Sequence, residues 1–148
     1  MAETKKIHIL FVCNANASRS QMAEGFCEKL KGGSIEAFSA GANPAPRLSR
    51  NAIKVMAEIG IDISDNTPKH TSDLTGLKFD YVITLCDSVK NLIRIFPKGA
   101  KHIHHGIEDP SGFIGTAEET LNKFRQSRDQ IKKYIETLPE SLAEKNNG

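Results

Sequence analysis

Short apolar runs alternate along the chain with stretches in which apolar residues recur at helical spacing. The runs at residues 7–12, 35–39 and 80–85 are typical of strands, and residues 101–105 form a fourth candidate. Helical spacing follows at residues 22–30, 48–59 and 121–138, and a short helix is predicted between Asp87 and Pro97. This alternation predicts β-α-β units, whose parallel strands bind ligands at their carboxyl ends.

The chain shows no internal repeat, linker or low-complexity tract, so we expect a single α/β domain over residues 1–148. Thr116 and Glu119 form a capping box that begins the last long helix, and Pro139 ends it. The polar residues 139–148 are expected to form a frayed tail.

Composition excludes several classes of partner. The 20 Lys and Arg residues almost balance 18 Asp and Glu residues, which predicts no nucleic-acid or membrane partner. No apolar run approaches the roughly 20 residues of a membrane span, and the run at residues 7–12 is too short for a secretory signal, so we expect neither. Three cysteines, Cys13, Cys27 and Cys86, argue against a disulfide framework and for the reducing cytoplasm. Cys27 lies on the apolar stripe of the first helix and is predicted to be core.

The candidate chemistry lies in the loop after the first strand. Cys13 is followed by five residues, then Arg19 at the start of a helix, then Ser20. The small residues Asn14, Ala15, Asn16, Ala17 and Ser18 let successive amides converge and bind an oxyanion. The same field favours the thiolate form of Cys13, Arg19 can hold two oxyanion oxygens, and Ser20 can donate to the sulfur. The alternative is a structural cysteine and a surface arginine.

Residues 7–138 resemble the low-molecular-weight protein-tyrosine phosphatase superfamily, and specifically its arsenate reductase branch. The matching segments follow the family's order along nearly the whole chain: residues 11–25, 39–41, 62–64, 70–74, 82–86 and 108–110. The resemblance implies a three-layer α/β domain whose four-stranded parallel sheet has the order 2-1-3-4.

The resemblance also implies roles for two further residues. Asp109, followed by Pro110, matches the family's catalytic acid, which protonates the departing oxygen; on its own, Asp-Pro would predict only a turn. Cys86 matches the cysteine that attacks the thiol–arsenic adduct, releases arsenite and forms a disulfide with Cys13. The alternative for Cys86 is a small apolar residue at a strand end.

Two departures from the family affect these expectations. The family's last redox cysteine is replaced by Ile93, so an external thiol, from thioredoxin or glutaredoxin and glutathione, must resolve the disulfide. Ala15 stands where the family usually has glycine. A positive φ at that position would cost about 1 kcal/mol and reshape the loop.

Supporting residues are also implied by the resemblance. Ser39 matches the residue that braces the anion loop. Asn16, Glu24, Ser39 and Asp73 match positions that surround a potassium ion in some arsenate reductases, and all four supply oxygen donors. A hydrogen-bond network without an ion is the alternative. No other cofactor is required, and we expect a monomer.

Three functions are therefore compared. The first is reduction of arsenate to arsenite through Cys13 and Cys86 in the cytoplasm. The second is hydrolysis of an aryl phosphate or phosphotyrosine through a Cys13 phosphoenzyme, for which Cys86 is dispensable. The third is a non-enzymatic oxyanion or redox sensor, motivated by Ala15 and by the missing cysteine at position 93.

Overall fold

The computed structural model describes residues 5–89 and 100–147. Its centre is a four-stranded sheet with the order β2-β1-β3-β4. The strands are β1 (Ile7–Cys13), β2 (Ile35–Gly41), β3 (Tyr81–Thr84) and β4 (Lys101–His104), and every neighbouring pair is parallel. The predicted parallel sheet and its order 2-1-3-4 are confirmed. All four carboxyl ends therefore lie at one edge.

Within the described residues, four α-helices accompany the sheet: α1 (Arg19–Lys31), α2 (Arg50–Ala57), α3 (Ala117–Glu136) and α4 (Glu140–Asn147). Thr116 and Glu119 form the predicted capping box of α3. The Ser49 hydroxyl accepts from the amide of Ala52 and so begins α2. Gly60, at φ +82°, adopts a backbone conformation after α2 that suits glycine.

Alternation along β1 sends side chains to two separate cores. Ile9 and Phe11 pack in a core shared with the apolar faces of α1, α2 and α3, and Cys27 is fully buried there. Leu10 and Val12 pack on the opposite face. That face is covered by 3-10 helices at Thr71–Leu74 and Asp87–Val89 and by the segments beside them. The sheet therefore separates Cys27 from Cys13 and Cys86, which lie in the second core.

The C-terminal segment differs from its prediction. Residues 140–147 form α4 where the sequence predicted a frayed tail. The reason is Leu142, which is buried in the larger core and gives this polar segment one apolar anchor.

Two features predicted from the sequence extend beyond what the structure describes. The helix predicted to begin at Asp87 is described as the 3-10 turn Asp87–Val89, and the rest of the predicted segment, with Ile93, lies outside the described residues. Across the described ranges, no helix has the length and apolar character needed to span a membrane.

Candidate active site

The loop between β1 and α1 has its carbonyls hydrogen-bonded on one side, which turns its amides toward the opposite side. The carbonyls of Cys13, Asn14, Ala15 and Ala17 accept hydrogen bonds from amides of the segment 42–49, at 2.8 to 3.3 Å. In a trans peptide the following N–H points away from the carbonyl, so the loop amides face the opposite side. Within residues 5–89 and 100–147, no hydrogen bond engages the amides of residues 14–18. At a helix N-terminus, such an array can bind an oxyanion.

Asn16 makes the turn of this loop possible. It is the non-glycine residue with positive φ, at 51°, among the described residues. Its Oδ1 accepts hydrogen bonds from Gln21 Nε2 at 3.0 Å and from the Lys69 amide at 2.8 Å, which fixes the buried side chain. Ala15 does not adopt positive φ, so the strain considered at that position is absent. Asn tolerates the left-handed region better than other non-glycine residues.

Gly41, at the end of β2, allows the loop to lie against the sheet. A Cβ at this position would lie 2.6 Å from the Asn14 carbonyl oxygen and 2.9 Å from the Asn16 nitrogen. Both atoms belong to the backbone and cannot turn aside. These contacts join backbone atoms that are distant in sequence, so the hydrophobic pattern did not show that residues 42–49 and Gly41 shape the anion site.

The Cys13 thiol is buried at the base of the loop, with an exposed fraction of 2%. Its Sγ lies 2.8 Å from Ser20 Oγ, and Ser20 Oγ in turn accepts a hydrogen bond of 2.7 Å from Asn16 Nδ2. When Cys13 is a thiolate, the Ser20 hydroxyl therefore donates to the sulfur while Asn16 supports the hydroxyl oxygen. The predicted contact between Ser20 and the sulfur is present.

Arg19 begins α1 and reaches across to the loop after β4. Its side chain is 9% exposed, Nη1 donates to the Ile107 carbonyl at 2.9 Å, and Nη2 lies 3.5 Å from Asp109 Oδ2. Its Nε is buried without a hydrogen-bond partner among the described residues. A buried donor without a partner is costly, so an arriving oxyanion would gain a charge-assisted hydrogen bond from it.

Asp109 lies beside Arg19, and its side chain is half exposed. Desolvation raises the pKa of Asp109, but hydrogen bonds from the Ser111 hydroxyl and amide and the charge of Arg19 outweigh it, and the pKa lies below its ordinary value. The Asp109 Oδ1 atom accepts those hydrogen bonds at 2.6 and 2.9 Å. Asp109 is therefore a carboxylate near neutral pH before substrate arrives.

Cys86 lies at the same sheet edge as Cys13, as its position after β3 predicts. Val12 pairs with Thr84, and the Leu85 amide donates to the Val12 carbonyl, which sets the ends of β1 and β3 side by side. The two cysteines pack in one buried cluster, and Cys86 is 6% exposed. All three cysteines are thiols in this structure. Burial raises the pKa of Cys27 to about 12, which agrees with an inert core residue.

The four oxygen donors matched to a potassium site fit a cation in part. Glu24 Oε1 and Ser39 Oγ are buried, and neither is paired at full hydrogen-bonding geometry with a described residue. Desolvation raises the pKa of Glu24, and the nearby Ser39 hydroxyl and the charge of Lys69 lower it by less, so a cation there would compensate a buried carboxylate. By contrast, Asn16 Oδ1 already accepts two hydrogen bonds, and Asp73 caps a 3-10 helix by accepting from the His70 amide.

A polar chain beside Cys86 was not assigned a function from the sequence. Thr84 Oγ1 lies 3.0 Å from His102 Nε2 and 2.8 Å from His104 Nδ1, and His104 Nε2 lies 2.9 Å from Asp87 Oδ1. The signal available was the spacing of His102 and His104, which places them on one face of β4. Within the described part of the chain, no group of three or more His, Cys, Asp or Glu residues is arranged to hold a metal ion.

Comparison with known proteins agrees with this geometry. The chain is 40% identical over 137 residues to an arsenate reductase of Halalkalibacterium halodurans, covering 93% of this chain and 97% of that protein. It is 42% identical over 128 residues to an arsenate reductase of Oceanobacillus iheyensis, covering 86% of this chain and 91% of the relative.

Two solved structures have the same fold. An arsenate reductase in the phosphate binding state matches with a TM-score of 0.76 and 35% identity, over 89% of this chain and 95% of that one. A low molecular weight protein tyrosine phosphatase from T. tengcongensis matches with a TM-score of 0.74 and 30% identity, over 92% and 99%. The model of the low molecular weight phosphotyrosine protein phosphatase family matches residues 8–147. The chain therefore belongs to that family.

Proposed function

We propose that this protein is an arsenate reductase that converts arsenate to arsenite through Cys13 and Cys86. The observation that carries the proposal is the location of both thiols in one buried cluster beside the anion-binding loop. A hydrolase of this site needs only Cys13, whereas reduction needs a second thiol within reach. The relatives named arsenate reductase, at 40% and 42% identity, support the same choice.

In the first step the oxyanion sits on the amides of residues 14–18, and Arg19 binds its oxygens. The Cys13 thiolate attacks arsenic and forms an S–As bond, an As–OH bond breaks, and the departing hydroxyl takes up one proton and leaves as water. Asp109 delivers the proton to that oxygen. Because Asp109 is a carboxylate beforehand, it must first gain a proton. The negative charge of the bound oxyanion raises the Asp109 pKa and competes for Arg19, which favours this protonation.

In the second step the Cys86 thiolate attacks the Cys13 sulfur. The S–As bond breaks, its electron pair stays on arsenic, and arsenic(V) becomes arsenic(III) as arsenite leaves. The two sulfurs are oxidised to a Cys13–Cys86 disulfide, which balances the two electrons. An external thiol must then reduce this disulfide, and thioredoxin or glutaredoxin with glutathione are the candidate reductants. We assign the reaction to the cytoplasm, where such thiols are available.

Potassium is proposed to be a structural ligand near the loop, held by the buried oxygens of Glu24 and Ser39, with Asn16 and Asp73 beside them. When bound, the ion would neutralise the buried carboxylate of Glu24 behind Asn16. No chemical step needs it. We propose a monomer as the active form.

Phosphoester hydrolysis in the same site is the second candidate, favoured by the family match and by the exposure of Asp109 to water. The sensor hypothesis loses one of its two grounds, because Asn16 rather than Ala15 adopts the left-handed conformation.

The test compares arsenate and an aryl phosphate as substrates, each with thioredoxin and with glutaredoxin plus glutathione. The wild type, Cys13→Ser and Cys86→Ser are assayed. Reduction predicts that both variants lose arsenate turnover. Aryl phosphate hydrolysis by Cys86→Ser at the wild-type rate, without arsenate turnover by the wild type, would select the hydrolase instead.

A further inference from the structure

The hydrogen-bonded chain beside Cys86 links strand β4 to both flanks of that cysteine. Thr84 precedes Cys86 by two residues, and Asp87 follows it directly. His104 contacts both, through Nδ1 to Thr84 Oγ1 at 2.8 Å and through Nε2 to Asp87 Oδ1 at 2.9 Å. One imidazole on the neighbouring strand therefore spans the segment that carries the second thiol.

The donors and acceptors of this chain are consistent with one arrangement of protons. With neutral imidazoles, His102 Nε2–H donates to Thr84, the Thr84 hydroxyl donates to His104 Nδ1, and His104 Nε2–H donates to Asp87. The fully buried Thr84 hydroxyl and both ring nitrogens of His104 then have hydrogen-bond partners. Thr84 is therefore held in the sheet, and His104 connects Asp87 to it through two hydrogen bonds.

The contact with His104 joins an exposed Asp87 side chain to β4. Asp87 begins a 3-10 helix described over Asp87–Val89, and its side chain is 83% exposed. Gly106 lies close to the pair, since a Cβ there would be 3.3 Å from His104 Nε2 and 3.4 Å from Asp87 Oδ1. The loop after β4 therefore packs directly against the pair.

We propose that His104 is a positioning residue for Cys86, because it holds Thr84 and Asp87 and thereby keeps the Cys86 thiol buried beside Cys13. The consequence for catalysis rests on the proposed reductase function, in which Cys86 attacks the Cys13 sulfur. A misplacement of about 1 Å can slow such a step by about a hundredfold. Loss of the His104 contacts would also expose a thiol that is now 6% accessible.

The test replaces His104 and follows each cysteine separately. His104→Asn keeps a polar group near the Nδ1 position but cannot reach Asp87, whereas the longer His104→Gln places an amide near the Nε2 position. Asp87→Ala removes the same contact from the exposed side and leaves the buried Thr84 in place. His8→Asn is the matched control, because His8 forms a comparable 3.0 Å pair with Glu36 on another part of the sheet.

The first readout is the rate of iodoacetamide labelling of Cys86 and of Cys13, resolved by peptide mass. We expect His104→Asn and Asp87→Ala to raise the labelling rate of Cys86 about tenfold and to leave that of Cys13 within about twofold of the wild type. In His104→Gln, Cys86 should again be labelled slowly. The second readout is arsenate-driven formation of the Cys13–Cys86 disulfide in a single turnover. It should slow by about tenfold or more in His104→Asn and stay unchanged in His8→Asn.

Unchanged Cys86 labelling in both His104→Asn and Asp87→Ala would overturn the proposal. A parallel rise at Cys13 and Cys86 would also overturn it, since that result indicates general loosening. If arsenate produced no disulfide in the wild type, the proposed function would fail, while the labelling rates would still decide the role of His104.

Discussion

Gly41→Ala tests how backbone packing contributes to oxyanion binding by the loop, because it changes no charged group of the site. The added Cβ would lie 2.6 Å from the Asn14 carbonyl oxygen and 3.0 Å from the Ala15 carbonyl carbon. Ordinary contact distances for such pairs are about 3.5 Å, so the loop or the end of β2 must shift by roughly 0.5 to 1 Å.

Overpacking of this kind costs about 1 to 3 kcal/mol of unfolding free energy. For a domain of this size that corresponds to a lower Tm by about 4 °C per kcal/mol, or about 4 to 12 °C. Because the displaced atoms carry the oxyanion-binding amides, phosphate affinity should fall by about tenfold or more.

Phosphate affinity is measured by titration calorimetry and Tm by differential scanning calorimetry. Gly76→Ala is the matched control, since a Cβ there would meet no atom within 4 Å. It should bind phosphate like the wild type. Wild-type phosphate affinity in Gly41→Ala, even with a lower Tm, would show that the position of the loop amides does not depend on this close approach.

Three further predictions concern charged groups of the site. Arg19→Lys should weaken phosphate binding by about 10- to 100-fold in calorimetry, because the planar donor fork is lost. Asp109→Asn should slow single-turnover arsenite release by about 10² to 10⁴-fold and leave phosphate binding intact, whereas equal loss of both would contradict its role as an acid. Burial raises the pKa of Glu24 in the native state above 4.5. Between the unfolded and native pKa values the native state therefore keeps a proton that the unfolded chain releases, and the free energy of unfolding falls as the pH rises. Glu24→Gln should raise Tm at about pH 8 and change it little at about pH 4, and it should abolish any gain in Tm from potassium chloride over sodium chloride. An equal change in Tm at both pH values would contradict the pKa shift.

The sheet could be predicted from the sequence because its strands are apolar runs separated by helical periodicity. The start of α3 could also be predicted, because the capping box of Thr116 and Glu119 lies within four consecutive residues. α4 could not be predicted this way, since a single apolar anchor, Leu142, gives no periodic signal in a polar segment.

The candidate site was predictable in part. Cys13, Arg19 and Ser20 lie within one short segment, so their convergence follows from a strand–loop–helix pattern. The contact of Arg19 with Ile107 and the close approach of Gly41 depend on pairs distant in sequence, and no local pattern reports them. The connection of His104 to Asp87 is likewise a product of strand pairing between β3 and β4.

In the proposed reaction, Cys13 and Cys86 act together on one oxyanion. The most direct measurement adds arsenate to the fully reduced protein without any other thiol, then quantifies arsenite and maps disulfides by peptide mass. We expect one arsenite per chain, a Cys13–Cys86 disulfide and an unmodified Cys27, with no arsenite from Cys86→Ser. Arsenite released by Cys86→Ser at the wild-type rate, or wild-type thiols left reduced by arsenate, would contradict it.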